Sequence, residues 1–138
     1  MSKLSDQLRI HEGVRSHVYL CTAGYETIGV GRNIAESGIG LSDDEIDYLL
    51  ENDIKRCKQE LVSLSWLPDL DPVRQDAIVN LCFNLGLTRL MGFQNAMGAM
   101  AVGDYEKAAD EFLDSRWAKQ VGQRSLDVAH MIRTGEYP

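Results

Sequence analysis

The sequence has no cysteines at CxxC spacing, no Cys/His cluster, no apolar run long enough to span a bilayer, and no repeat, low-complexity tract or Pro/Ser-rich linker. Each absence removes a class. Three cysteines, Cys21, Cys57 and Cys82, are an odd number without metal-ligand spacing, so neither a disulfide framework nor a zinc site is suggested. Reduced thiols, no metal and no cofactor are expected. Residues 1–6 lack the apolar core of a secretory signal, and the expectation is a soluble, monomeric chain made and kept in the cytoplasm. Positive charge is in short supply as well, with 14 Lys and Arg against 21 Asp and Glu and a net charge of -7. Phosphate contacts need a basic face, so no nucleic-acid partner is expected, and any anionic polymer has to be held by a local positive patch.

What remains is an ordinary globular composition, 44% hydrophobic and 25% charged, in a 138-residue chain that has material for one or two small packed lobes. Its texture changes along the chain. Leu4, Leu8 and nearby Ile10 predict a helix over residues 2–12 that Gly13 ends. Residues 16–20 and 26–31 are short alternating runs joined through Thr22-Ala23-Gly24, which read as a hairpin.

From Ser42 onward the pattern is helical. Ser42-Asp43-Asp44-Glu45 is a capping box, and Ile46, Leu49, Leu50, Ile54, Cys57 and Leu61 form an apolar stripe along a helix of about residues 42–62. Asp71-Pro72 starts another helix, whose face is Val73, Ala77, Ile78, Leu81, Cys82 and Leu85, and Gly86 stops it. Asp104 opens a helix through Leu113, and Gly135 closes one starting near Arg124. The predicted class is α+β, as a single domain over residues 1–138. A small β-hairpin lobe (about 13–41) is joined by the long helix to a larger all-helical lobe (63–138 plus the N-terminal helix).

Chemistry concentrates around the hairpin. Glu12 falls where the first helix ends, facing the partial negative charge of the last carbonyls, which favours the protonated form that a general acid needs. Alternation puts Thr27, Gly29 and Gly31 on one strand face, leaving room for a sugar chain against the backbone.

Glu12-Gly13-Val14-Arg15, Tyr19, Cys21 and Gly24-Tyr25-Glu26-Thr27-Ile28-Gly29-Val30-Gly31 together resemble the active-site signature of the phage-type lysozymes, glycoside hydrolase family 24. The similarity continues through residues 71–86, Gly92-Phe93, Ala108-Ala109, Ser115-Arg116-Trp117, Arg124 and Arg133-Thr134-Gly135. The resemblance implies a lysozyme-like fold and an endolysin cutting the β-1,4 bond between N-acetylmuramic acid and N-acetylglucosamine in peptidoglycan glycan strands. It also implies a holin that lets the enzyme out of the host cytoplasm. In the family the catalytic triad is Glu, then Asp or Cys, then Thr. Glu12 thus takes the place of the proton donor, Cys21 that of the second catalytic group and Thr27 that of the residue holding the attacking water. Arg124 resembles the arginine that pairs with the catalytic glutamate, and such a partner favours the ionised carboxylate against the helix-end effect.

Three further readings concern the surroundings of the site. Asp53 interrupts the apolar stripe and needs a partner; Arg32, where the family usually has histidine, is the expected one, in an ion pair that stays charged through the physiological range. Asn84 stands where the family has a polar substrate contact, and Arg116, Lys119, Arg124 and Arg133 are a basic cluster late in an acidic chain. Trp117 is expected in the core. Residues 32–42 form a short connection for the family, which predicts a trimmed small lobe. Two other functions fit the same residues, a lytic transglycosylase acting on the same bond and a catalytically inactive wall-binding module in which Cys21 marks the loss of a carboxylate.

Overall fold

A computed structural model describes residues 2–138. The chain is α+β and lysozyme-like, with a small three-stranded antiparallel sheet and a larger helical part. It divides into two compact units, Met1–Leu49 and Leu50–Pro138.

In the first unit, α1 (Lys3–Glu12) is opened by Ser2, whose hydroxyl oxygen accepts from the Ser5 N–H at 3.0 Å, and is closed by Gly13 at φ 78°. The sheet follows as β1 (Arg15–Leu20), β2 (Glu26–Gly29) and β3 (Arg32–Asn33), in the order β1-β2-β3. A third strand thus extends the expected hairpin; at two residues it is too short to leave a period in the sequence. In the register Tyr19 pairs with Thr27 but Arg15 pairs with Gly29, so β1 carries extra residues and bulges between Arg15 and Tyr19. Thr27 also pairs with Asn33 of β3 and sits in the middle of the sheet.

Helix α2 (Asp43–Glu60) starts within the first unit and continues into the second. Its start is fixed by the return half of the capping box, with the Ser42 N–H donating to Glu45 Oε1 at 2.9 Å. Two 3-10 turns, Leu61–Ser63 and Leu67–Asp69, lead to α3 (Pro72–Leu85). Asp71 accepts from the Arg74 N–H at 3.1 Å as the N-cap of α3, a contribution of about 1 kcal/mol, and Gly86 takes the left-handed φ of 78° past its end.

The remaining helices are α4 (Leu87–Met91), α5 (Gln94–Ala101), α6 (Tyr105–Leu113), α7 (Arg116–Val121) and α8 (Gln123–Thr134). The hydrophobic core lies in this second unit. Ile78 and Leu81 of α3, Phe112 of α6 and Val128 and Ile132 of α8 are fully buried, and Phe93 packs against both Phe112 and Trp117 with ring centroids 5.4 and 6.5 Å apart. Among the described residues of the first unit only Thr27 is buried, and no residue of α1 is. The regular packing of the second unit follows from helical faces with a 3.6-residue apolar period, whereas the first unit is organised by turns and hydrogen bonds.

Candidate active site

Glu12 is the last residue of α1, and the chain turns immediately after it because the Gly13 N–H bonds back to the Arg9 carbonyl at 2.9 Å. The exposed Glu12 side chain extends over the turn between β2 and β3. Its Oε2 lies 2.7 Å and its Cδ 3.0 Å from where a Cβ on Gly31 would stand. Gly31 is therefore a floor under the carboxylate that any other residue would obstruct.

The alternation expected for residues 26–31 ends earlier than predicted. β2 stops at Gly29, and Gly29 and Gly31 both have positive φ, 69° and 68°. Gly31 is placed by the turn and not by the strand pleat. That is a correction to the single face expected for Thr27, Gly29 and Gly31, and its cause is the left-handed backbone that the two glycines permit.

Cys21 and Thr27 are brought together by one carbonyl. The Tyr25 oxygen accepts the Cys21 N–H at 3.0 Å and the Thr27 hydroxyl at 2.8 Å, and the Gly24 N–H bonds back to the Cys21 carbonyl at 2.8 Å. The thiol stands at the mouth of this turn, partly exposed. The backbone N–H of Tyr25 holds its pKa below the usual thiol range against a smaller desolvation effect, and the Ala23 and Gly24 amides act in the same direction. With its proton committed to Tyr25, Thr27 offers oxygen lone pairs to any further partner. Tyr25, which sequence reasoning gave no role, works through its backbone; a main-chain contribution of that kind leaves no mark in residue type.

In the second unit, Asn84 Oδ1 accepts from the buried Trp117 indole N–H at 2.7 Å. Trp117 is in the core as expected. Arg124 is held by Asn80, through Nε to Oδ1 at 2.9 Å and through a second guanidinium nitrogen to the Asn80 carbonyl at 3.3 Å. The two line one cavity of about 520 Å³ with Leu50, Ile54, Val79 and Phe83. The late basic cluster is not uniform. Arg133 is engaged by Glu106 and, at 2.6 Å, by Asp110, while Arg116 and Lys119 are exposed on α7.

Arg32 and Asp53 each bind a different partner from the one expected. The Arg32 guanidinium donates to Glu45 Oε1 at 2.8 Å and to the Gly40 carbonyl at 2.9 Å, whereas Asp53 accepts from Arg56 one helical turn on, at 2.7 Å. Asp53 does not need a distant cation because a local one at i+3 already meets it. Arg32 is held above the usual arginine range by its hydrogen bond to Glu45 and, less strongly, by the charge of that carboxylate, against a smaller desolvation effect, and Glu45 is pulled down to about 2, first by Arg32 and then by the Ser42 N–H and hydroxyl. Among the described residues no group of three or more His, Cys, Asp and Glu is placed to hold a metal ion.

Comparison with known proteins identifies the family of the chain. The phage lysozyme family profile matches residues 9–132, a span that contains Glu12, Cys21, Thr27 and Arg124. A probable T4-type lysozyme 1 of Dictyostelium discoideum is 28% identical over 98% of this chain and 96% of its own length. An endolysin of Acyrthosiphon pisum secondary endosymbiont phage 1 is 30% identical over 86% of this chain and 80% of its own. The pre-baseplate central spike protein Gp5 of Enterobacteria phage T4 is 30% identical over 96% of this chain, which corresponds to 28% of that longer protein.

Proposed function

The chain belongs to the phage lysozyme family, whose members are lysozyme-type cell-wall hydrolases, and from that premise we propose that it is an endolysin muramidase cutting the β-1,4 bond between N-acetylmuramic acid and N-acetylglucosamine. The observation that carries the reading is the Glu12 carboxyl lying over the side-chain-free Gly31, in the unit whose sheet holds the Cys21 and Thr27 pair.

In this mechanism Glu12 gives its proton to the bridging glycosidic oxygen as that bond breaks. A water molecule attacks the anomeric carbon from the opposite face. Thr27 accepts one hydrogen of this water, since its own proton is committed to the Tyr25 carbonyl. The Cys21 thiolate accepts the other, which leaves as a proton when the new C–O bond forms, and the configuration at carbon inverts. Protonated Cys21 and ionised Glu12 then reset through solvent. Gly29 and Gly31 are assigned to the glycan strand in the first unit, and Asn84, Arg116 and Lys119 are its proposed contacts in the second, with Arg124 in support. Release of the enzyme from the host cytoplasm by a holin is part of the same proposal.

The test is clearing of outer-membrane-permeabilised bacteria by wild type and Glu12→Gln. Loss of a placed general acid costs about a hundredfold to ten-thousandfold in rate, whereas equal clearing rates overturn the assignment of Glu12. The released fragments decide the reaction type. Hydrolysis leaves a reducing end heavier by one water than the anhydro end a transglycosylase makes, and NMR of the first-formed anomer shows inversion or retention.

A further inference from the structure

Arg15 and Tyr19 of β1 stand within the residues that resemble the family signature, yet the mechanism gives neither a task. The Arg15 guanidinium lies over the Tyr19 ring, its Cζ 5.1 Å from the ring centroid. Partners across antiparallel strands put their side chains on one face, so Tyr19 lies on the same face of the sheet as Thr27, its partner on β2. Arg15 is paired with Gly29, and the space where a Cβ on Gly29 would stand is open, with no atom from outside its own stretch of chain within 4 Å. The bulge between Arg15 and Tyr19 breaks the alternation of β1, and the ring contact brings the guanidinium to the Tyr19 face. Stacking decides what this arginine can do. A guanidinium laid over a ring uses its flat face there and keeps its five N–H donors, which lie in its plane, free at the edge. The side chain is exposed, and among the described residues no carboxylate pairs with it.

We propose that Arg15, held by Tyr19, is a specificity-determining residue that binds a carboxylate of the glycan strand beside the bond to be cut. This subsite rests on the muramidase reading above and names the anionic part of the substrate that it recognises. Every second sugar of a peptidoglycan strand carries a lactyl ether, whose carboxyl is either free or begins a peptide stem with carboxylates of its own. The same chemistry therefore has two sources. Tyr19 stands opposite Thr27 and Arg15 opposite Gly29, two residues nearer to the Gly31 turn over which Glu12 lies. A glycan lying over the open Gly29 position brings its carboxylate to the in-plane edge of the guanidinium, where two parallel N–H donors can meet its two oxygens. An uncharged sugar gains nothing from that edge. Because Arg15 is exposed, the contact is modest in strength and weakened by salt, so its effect is selection among strands.

The experiment measures binding to the full chain carrying Glu12→Gln, so that no turnover intervenes, with amide NMR spectra following both the titration and the fold. Three soluble tetrasaccharides serve as probes: a peptidoglycan fragment with intact stems, the same fragment trimmed by an amidase to free lactyl carboxylates, and chitotetraose, which has no carboxylate. Adding Arg15→Gln is expected to weaken binding of a carboxylate-bearing fragment about fivefold, the scale of an exposed ion pair, and to change chitotetraose by less than twofold. Loss confined to the intact fragment assigns the carboxylate to the stem; loss seen with the trimmed one assigns it to the lactyl group. Tyr19→Phe keeps the ring and the selectivity, whereas Tyr19→Leu removes the platform and weakens the same fragments. Equal affinities with and without Arg15→Gln, an equal loss on chitotetraose, or no saturable binding of any probe overturns the proposal. Clearing of permeabilised cells by wild type is read separately. A chain that clears cells but shows no carboxylate-selective loss refutes this subsite alone, and one that shows the loss but never clears cells supports the subsite and refutes the muramidase reading.

Discussion

Oε2 of Glu12 and the vacant β-position of Gly31 are 2.7 Å apart, closer than a real Cβ and an oxygen sit in a relaxed contact. The glycine does two things there at once. Its φ of 68° lets the chain return from β2 into β3, and its missing side chain leaves the carboxylate a place to lie. The backbone requirement is strict, whereas the second can be met by moving Glu12, whose side chain is exposed.

Gly31→Ala is accordingly expected to move Glu12. The methyl group forces the carboxylate off the turn, and a non-glycine residue in the left-handed region costs about 1–2 kcal/mol. Clearing of permeabilised cells should fall by about a hundredfold, the scale of a misplacement near 1 Å, while thermal unfolding remains cooperative. Full clearing by a folded Gly31→Ala protein would show that the carboxylate does not need this position.

Cys21 should be the reactive thiol of the folded protein. Amides of residues 23–25 favour its thiolate, so its alkylation by iodoacetamide, followed by peptide mass between about pH 6 and 9, should have a midpoint below the free-thiol value of about 8.5. Cys82, pushed up to about 12 by burial and its neighbours, should stay unmodified over the same range. The sign carries to catalysis. Thiolate content grows as pH rises to the thiol pKa, so wild-type clearing should climb with pH where that of Cys21→Asp is already level. A Cys21 midpoint at or above about 8.5 contradicts that stabilisation by the amides.

Helices α3 and α6 could be delimited in the sequence because Asp71, Gly86 and Asp104 are residue types whose cap chemistry is local. Glu12, Cys21 and Thr27 stood out in the sequence for another reason, because their spacing resembles a family signature. Their geometry was not legible there. The Tyr25 carbonyl that joins Cys21 to Thr27 belongs to the backbone, and β3 is too short to show a period. The partner of Arg32 was misread for a related reason. Asp53 broke an apolar stripe conspicuously, while Glu45 looked fully explained as the last residue of a capping box.

Asn84 has a structural duty that a substrate role alone would not give it. Replacing it with alanine removes the acceptor of the buried Trp117 N–H, at a cost of about 1 kcal/mol in denaturant unfolding. Asn84→Asp keeps an acceptor oxygen and should restore most of that loss. If Asn84→Ala is as stable as wild type, the indole bond is dispensable and only a glycan contact can account for the residue.

The Arg32 and Glu45 pair makes the first unit sensitive to acid in a defined window. Glu45 Oε1 accepts from the Arg32 guanidinium, the Ser42 N–H and the Ser42 hydroxyl, at 2.8, 2.9 and 2.7 Å, and its carboxyl is depressed to about 2 from an unfolded value of about 4.3. A depressed carboxyl stabilises the fold fully above its unfolded pKa and loses that effect as pH falls through its folded pKa. Wild type should therefore exceed Glu45→Gln in amide-exchange protection of residues 32–45 at neutral pH, and the difference should shrink from about pH 4.3 downward and vanish near pH 2. Arg32 stays charged throughout, so the window belongs to Glu45 alone. In double-mutant cycles Arg32→Ala should be non-additive with Glu45→Gln and additive with Asp53→Asn, because Asp53 has its own partner in Arg56. Coupling of Arg32 to Asp53 in place of Glu45 would reinstate the pairing that the broken apolar stripe suggested.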